Sequence, residues 1–188
     1  AYVTNMSIGL VFWLIFFPGL FSTDSFAAFE MAKSGKLSNA WTASWAVYVQ
    51  IFSFHGRYIA IVTWINILLL IYSVTRLTEV IFERKISKIT SLIVCTMPVV
   101  SGMGITLWHD IPMTAGLILI SSALISFIKS EYKLVRRSLI ELVIGSIFIT
   151  FRPNGIPTVV LTLLFLMAWR AVRRSVSVLS LAIVVAMV

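Results

Sequence analysis

Four side chains could do chemistry together if the fold assembles them: Asp24, His109, Asp110 and Arg152. Asp24 stands in Ser22-Thr23-Asp24-Ser25, His109 and Asp110 in Leu107-Trp108-His109-Asp110-Ile111-Pro112, and Arg152 in Phe151-Arg152-Pro153-Asn154-Gly155. A carboxylate at a boundary can take a proton from a hydroxyl or ligate a cation. A guanidinium offers a planar fork of donors matched to phosphate. Each residue also has a plain structural use. Asp24 suits the N-cap of a short helix over 25–34, with Phe26 and Phe29 toward lipid and Glu30 and Lys33 toward water. Asp110 suits the start of a helix in which Pro112 occupies the first turn. Pro153-Asn154-Gly155 is a strong turn signal that Arg152 need only flank.

The elements that must position these residues are helices in lipid. Of 188 residues, 60% are hydrophobic and 12% charged, and the mean hydropathy is +1.02. Soluble domains carry roughly 25% charged residues, so this chain cannot cover a water-facing surface. A span needs about 20 mostly apolar residues. Charge-free runs predict spans at 3–21, 58–75, 89–107, 111–128, 138–151 (with Glu141 inside), 156–169 and 176–188. The fold class expected is an all-α membrane protein, a polytopic bundle of about seven spans forming one transmembrane domain over 1–188. The start at Ala1 and the apolar end suggest a piece of a longer chain. Residues 1–21 lack the basic n-region and small-residue cleavage site of a signal peptide, and Pro18-Gly19 is expected to bend or stop the first helix.

The net charge of +8 does not point to nucleic acid, because no basic stretch interleaves with aromatics on a polar face. The basic residues cluster instead at Arg76, Arg84, Lys85 and Lys88, at Lys129, Lys133, Arg136 and Arg137, and at Arg170, Arg173 and Arg174. The positive-inside rule assigns all three clusters to the cytoplasmic side. The opposite face then collects 22–57, 103–112 and 152–155, with Asp24, Glu30, His55, Arg57, His109, Asp110, Arg152 and Asn154. Segment 37–54 is uncharged and rich in Trp, Tyr, Ser and Thr, which suits a helix lying in the interface rather than crossing. Glu141 is expected to snorkel to the cytoplasmic boundary or to pair with Arg137 one turn earlier, with a proton relay as the functional alternative. Cys95 is alone in an apolar run and reads as a small buried hydrophobe.

Taken in order, Phe17-Pro18-Gly19, Asp24, the aromatic juxtamembrane segment, Leu107-Trp108-His109-Asp110-Ile111-Pro112 and Arg152-Pro153-Asn154-Gly155 resemble the N-terminal half of GT-C superfamily glycosyltransferases. The likeness is to a bacterial branch with "WKDIP"-like and "R-x-NG"-like loops, and it covers about residues 10–160. It implies a helix bundle with two juxtamembrane helices in the first outer loop, here 22–57. It also implies transfer of a sugar from a polyprenyl-phosphate carrier to an acceptor on the periplasmic or extracellular side of the cell membrane. On that resemblance Asp24 is the general base and Asp110 its assistant. The two acids are also the possible ligands of a divalent cation, Mg or Mn. Arg152, His109 and Arg57 are the donor-phosphate contacts. The implied partners are a lipid-linked sugar donor, membrane lipids and an acceptor of unknown identity, with no nucleic acid. The sequence departs from the family where His109 replaces the lysine and Trp41-Thr42-Ala43-Ser44-Trp45 replaces a His-Pro pair. Two other function classes remain open: a transporter or flippase of lipid-linked saccharide, and a non-catalytic membrane subunit.

Overall fold

A computed structural model describes residues 1–36, 42–131 and 135–173. Among these the secondary structure is helical, with no named strand. The order is α1 (Tyr2–Ile15), α2 (Thr23–Ser34), α3 (Ala43–Phe52), α4 (Ile59–Ile81), α5 (Arg84–Thr96), α6 (Pro98–Gly104), α7 (Asp110–Lys129), α8 (Arg136–Ile149), a 3-10 turn (Pro153–Gly155) and α9 (Ile156–Arg173).

Two helices, α4 and α7, are long and apolar enough to cross a membrane, and α5 with α6 makes a third candidate if the bent pair is one span. At 1.5 Å per residue the 23 residues of α4 reach about 34 Å, enough for a hydrocarbon core of roughly 30 Å. The expected run of about seven spans is therefore only partly met. The run 3–21 yields the 14 residues of α1, because Pro18 follows in a turn with a cis Phe17-Pro18 bond. The run 89–107 is not one helix. It breaks before Pro98, and α5 and α6 meet at 66°, since proline removes a backbone donor and its ring collides with the preceding turn. The last run, 176–188, lies outside the described residues, as do Trp41, Lys133 and Arg174.

Helix α4 is the axis of the bundle. Val62, Asn66, Ile67, Leu70, Ile71, Val74 and Thr75 are all buried along it, packed by α1, α5 and α7. Two pairs of buried polar side chains meet along it, which lowers the cost of placing them in an apolar interior. The Asn5 amide donates to Thr75 Oγ1 at 2.9 Å, and the Tyr48 hydroxyl donates to Asn66 Oδ1 at 2.9 Å. Outward, Val3, Val11, Leu14, Ile15 and Phe17 of α1 and the following turn are exposed, the arrangement of a surface solvated by lipid rather than water.

Helices α7 and α8 make the most intimate pair. They cross where Gly116 faces Gly145. A Cβ on Gly116 would stand 2.7 Å from the Gly145 carbonyl oxygen, and one on Gly145 would stand 2.8 Å from that of Gly116. Only glycine lets the two backbones touch, a device common between membrane helices.

The bundle has two chemically distinct ends. One gathers Tyr2, the last turns of α4 and α7, and the starts of α5 and α8. There Glu141, with a side chain 3% exposed, accepts from Arg76 Nε at 2.6 Å and Arg137 Nε at 3.1 Å. The i,i+4 pair with Arg137 is present, and the second arginine comes from 65 residues away on α4. At the other end lie the turns after α1, α6 and α8. Helix α3 begins there, where the Thr42 hydroxyl donates to the Phe151 carbonyl at 2.7 Å. It also ends there, at the turn that opens α4. With only 10 residues, it does not traverse the bundle.

Candidate functional site

The site is assembled by short ties among four loops. The stretch after α1 pairs with the stretch after α6: Leu20 N–H donates to the Ile105 carbonyl, and Leu107 N–H donates to Leu20. Gly19, at φ +124°, fits here because a Cβ would meet Thr63 and the Ile105 carbonyl oxygen at 2.6–2.7 Å. The Ser25 hydroxyl, fully buried, donates to the Leu107 carbonyl at 2.7 Å. Thr42 and Ser44 donate to the Phe151 and Thr150 carbonyls, which lie where α8 ends and its last carbonyls lack helical partners. Residues 24, 44, 109 and 152 are thereby held at one end of the bundle.

Asp24 sits in the first turn of α2, exposed to solvent. It is not the N-cap that its position suggests. Ser22 caps the helix, its hydroxyl accepting from Ser25 N–H while the Ser25 side chain accepts from Ser22 N–H. The helix therefore starts at Thr23, and the Asp24 carboxylate is left uncommitted by capping. The helix dipole favours its charge at that position.

Asp110 opens α7, where the same dipole favours an anion. Its Oδ1 lies 2.9 Å from Arg152 Nε and 3.6 Å from His109 Nε2. Arg152 Nε lies 3.0 Å from His109 Nε2. That N–H donates to the imidazole, while the Asp110 carboxylate meets the guanidinium as an ion pair, its buried Oδ1 accepting no hydrogen bond among the described residues. The terminal guanidinium nitrogens of Arg152 make no hydrogen bond with the described residues, and its side chain is 42% exposed. They are the free donors of the cluster.

His109 lies outside the spans, just before α7, and is buried. Burial holds its imidazole below the usual histidine range. Asp110 opposes that shift, Arg152 reinforces it, and the charge of Asp24 reaches His109 and opposes it. The neutral ring suits an acceptor of the Arg152 bond, so His109 orients the guanidinium rather than offering a second cation. Trp45 walls the site, its ring centroid 6.1 Å from His109 and 5.7 Å from Phe151.

Among the described residues no ion pair links Arg57 to this group. Its turn packs on the far end of α2, where Gly56 approaches Lys33 and Phe29. Lys33 lies nine positions along the helix from Asp24, about 13 Å at the helical rise. The Arg57 side chain is exposed there, and His55 shares the same turn. Asn154 lies in the 3-10 turn directly after Arg152.

Among the described residues no three His, Cys, Asp or Glu side chains converge on one point. Of the two acids expected as ligands, Asp110 is already engaged by Arg152.

Trp45, Ser25, Thr42 and Ser44 were not among the expected site residues. Hydroxyls embedded in an aromatic, uncharged segment were the available signal. Next to the polar cluster, an apolar groove of about 500 Å³ runs between α3 and α8, lined by Val47, Tyr48, Phe52, Ile147, Phe148 and Phe151. No family model, curated protein or solved structure matches this chain.

Proposed function

We propose that this chain is the transmembrane part of a GT-C type glycosyltransferase, a bundle of about seven spans. Its reaction is transfer of a sugar from a polyprenyl-phosphate donor to an acceptor hydroxyl. The reaction takes place at the non-cytoplasmic face of the cell membrane, with the arginine-rich end in the cytoplasm. The observation that carries the reading is the joint placement of Asp24, His109, Asp110 and Arg152 at the end remote from most basic residues, with the Arg152 fork fixed by two neighbours and its outer nitrogens free.

The chemistry follows from those positions. Asp24, exposed to solvent, takes the proton of the acceptor hydroxyl as its oxygen bonds to the anomeric carbon. The bond from that carbon to the phosphate oxygen breaks, and its electron pair leaves with the polyprenyl phosphate. The terminal nitrogens of Arg152 receive that growing charge as a bidentate pair. Asp110 and His109 hold Arg152 in place, and so act as positioning residues. The apolar groove beside Phe151 suits the isoprenoid chain of the carrier.

The test is sugar transfer in vesicles loaded with a radiolabelled polyprenyl-phosphate sugar. Asp24→Asn is expected to lower the rate by about 10²-fold or more, the range for a lost general base, with a fall in Tm of no more than about 4 °C, since the exposed side chain loses only its favourable charge at the start of α2. A wild-type rate for Asp24→Asn refutes the assignment.

One observation favours a second reading, a transporter or flippase of lipid-linked saccharide. Transporters place binding sites at interrupted helices, and α5–α6 is interrupted at 66°. Glu141, the buried acid such a reading needs, is already neutralised by two arginines. Movement of lipid-linked saccharide across sealed vesicles without transfer would select this reading over the first.

A further inference from the structure

Three buried side-chain N–H groups have no acceptor among the described residues: Trp45 Nε1, Asn66 Nδ2 and Trp108 Nε1. A buried donor without an acceptor costs free energy, and each one calls for a reason. Trp45 is the one that touches both neighbours of Arg152. Its ring centroid lies 5.7 Å from Phe151, the residue before Arg152 in the chain. It lies 6.1 Å from His109, which accepts from Arg152 Nε at 3.0 Å. Asn66 already accepts from Tyr48 through its Oδ1, and Trp108 packs against the cluster of Ile67, Leu70 and Ile105.

The position of Trp45 is fixed. Thr42 and Ser44, three and one positions earlier, donate to the Phe151 and Thr150 carbonyls. Helix α3 is thereby latched to the stretch that carries Arg152. The indole itself is 1% exposed. It offers a donor and no acceptor, so an oxygen of an anion is its matching partner.

Trp45 also stands at a chemical boundary. Tyr48 is stacked on it with ring centroids 5.6 Å apart. Tyr48, Ser44 and Phe151 all line the apolar groove of about 500 Å³ between α3 and α8. The other ring against Trp45, His109, belongs to the polar cluster. Groove and cluster therefore meet at this indole. An anion without a chain would use the cluster alone, and a chain without an anion would use the groove alone. A ligand with both would lay its head beside Trp45. The N–H is sealed from water, so water does not satisfy it. A ligand held at one end by charge and at the other by apolar contact supplies the free energy that opens the seal.

We propose that the Trp45 indole N–H is a ligand-binding donor, given to a phosphate oxygen of an amphiphilic phosphate ester whose chain lies in the α3–α8 groove. This rests on the function proposed for the same site, and names the donor that acts beside the outer nitrogens of Arg152.

The test is NMR of the nitrogen-labelled indole N–H resonances of the detergent-solubilised chain, titrated with farnesyl phosphate, farnesol or inorganic phosphate. Trp45→Phe identifies the Trp45 resonance. Farnesyl phosphate is expected to shift it. The Trp13 resonance should stay in place, because that N–H is committed to Thr63 Oγ1 at 3.0 Å. Trp45→Phe keeps an aromatic ring and loses the donor. It should weaken farnesyl phosphate binding by about tenfold or more, the range for a hydrogen bond to a charged acceptor. An equal shift with farnesol overturns the proposal, since the N–H would not be meeting phosphate. An equal shift with inorganic phosphate overturns the amphiphile assignment. If farnesyl phosphate binds, is weakened by Arg152→Gln and leaves the Trp45 resonance unmoved, the Trp45 assignment fails and the glycosyltransferase reading stands. If farnesyl phosphate does not bind, that reading fails as well. Should Trp45→Phe fail to fold, replacing the other tryptophans in turn identifies the resonance by elimination, and the wild-type titration decides.

Discussion

Replacing Arg152 separates its part in catalysis from its part in folding. The side chain is 42% exposed and Asp110 is 20% exposed, so their ion pair belongs with surface pairs, whose contribution is about 1 kcal/mol or less. For a chain of this size that is a fall in Tm of roughly 2–4 °C. The outer nitrogens, free of protein partners, are the groups proposed to meet the leaving phosphate. Removing one preorganised donor to a developing oxyanion costs about 10²–10³ in kcat, or roughly 3–4 kcal/mol. Arg152→Gln should therefore lose at least about 100-fold in transfer rate for a Tm change of only a few degrees. Arg152→Lys keeps the charge but loses the fork, and should fall between the two. Transfer in vesicles and thermal unfolding in detergent, measured on the same preparations, give both numbers. A folded Arg152→Gln protein with a rate within about threefold of wild type would refute the reasoning, because the expected loss is 10²-fold or more. So would a rate loss matched by a collapse in stability, which would make Arg152 structural.

Three further outcomes follow from the geometry. Glu141→Gln removes the acid from between Arg76 and Arg137 and leaves a nearly buried guanidinium uncompensated, at a cost of about 3–5 kcal/mol, visible as a large drop in Tm. His109 is held below its ordinary value of 6.5 by burial. The unfolded chain therefore takes a proton that the folded chain refuses. Stability is full above about pH 6.5 and falls as pH drops below it toward the folded value; Tm measured from about pH 8 to about pH 5 should show this, and His109→Gln should flatten the curve. Arg57→Gln should leave transfer within about twofold of wild type, since its turn lies about 13 Å along α2 from Asp24; a 100-fold loss would restore it to the site.

The two long helices were legible because α4 and α7 are built on the charge-free runs 58–75 and 111–128, the first bounded by Arg57 and Arg76 and the second by Asp110 and Lys129. Hydropathy could not report that Pro98 splits its run, because the residues on either side are equally apolar. It overestimated the first span for the same reason at Pro18. The N-cap of α2 was ambiguous locally: Ser22 and Asp24 both carry capping oxygens, and the box closes on Ser25 rather than on the usual glutamate or glutamine. The site residues Asp24, Asp110 and Arg152 were readable as polar breaks in an apolar chain. What no local pattern could show was that His109 turns its ring to Arg152. Neither could it show that Arg57 is carried off by the turn at Gly56. The second partner of Glu141 was also hidden, since pairings across 65 residues depend on which helices become neighbours.

The contact of Gly116 with Gly145 sits roughly 9 Å along α7 from Asp110 and roughly 10 Å along α8 from Arg152 at the helical rise. The acid and the guanidinium thus hang on two levers pinned at a shared fulcrum. A methyl added at either glycine would pry the levers apart where they touch. The opening would be felt at their tips, where a 2.9 Å pair has little slack. The spacing of the polar cluster is set, on this account, by two residues that have no side chain and lie out of its reach.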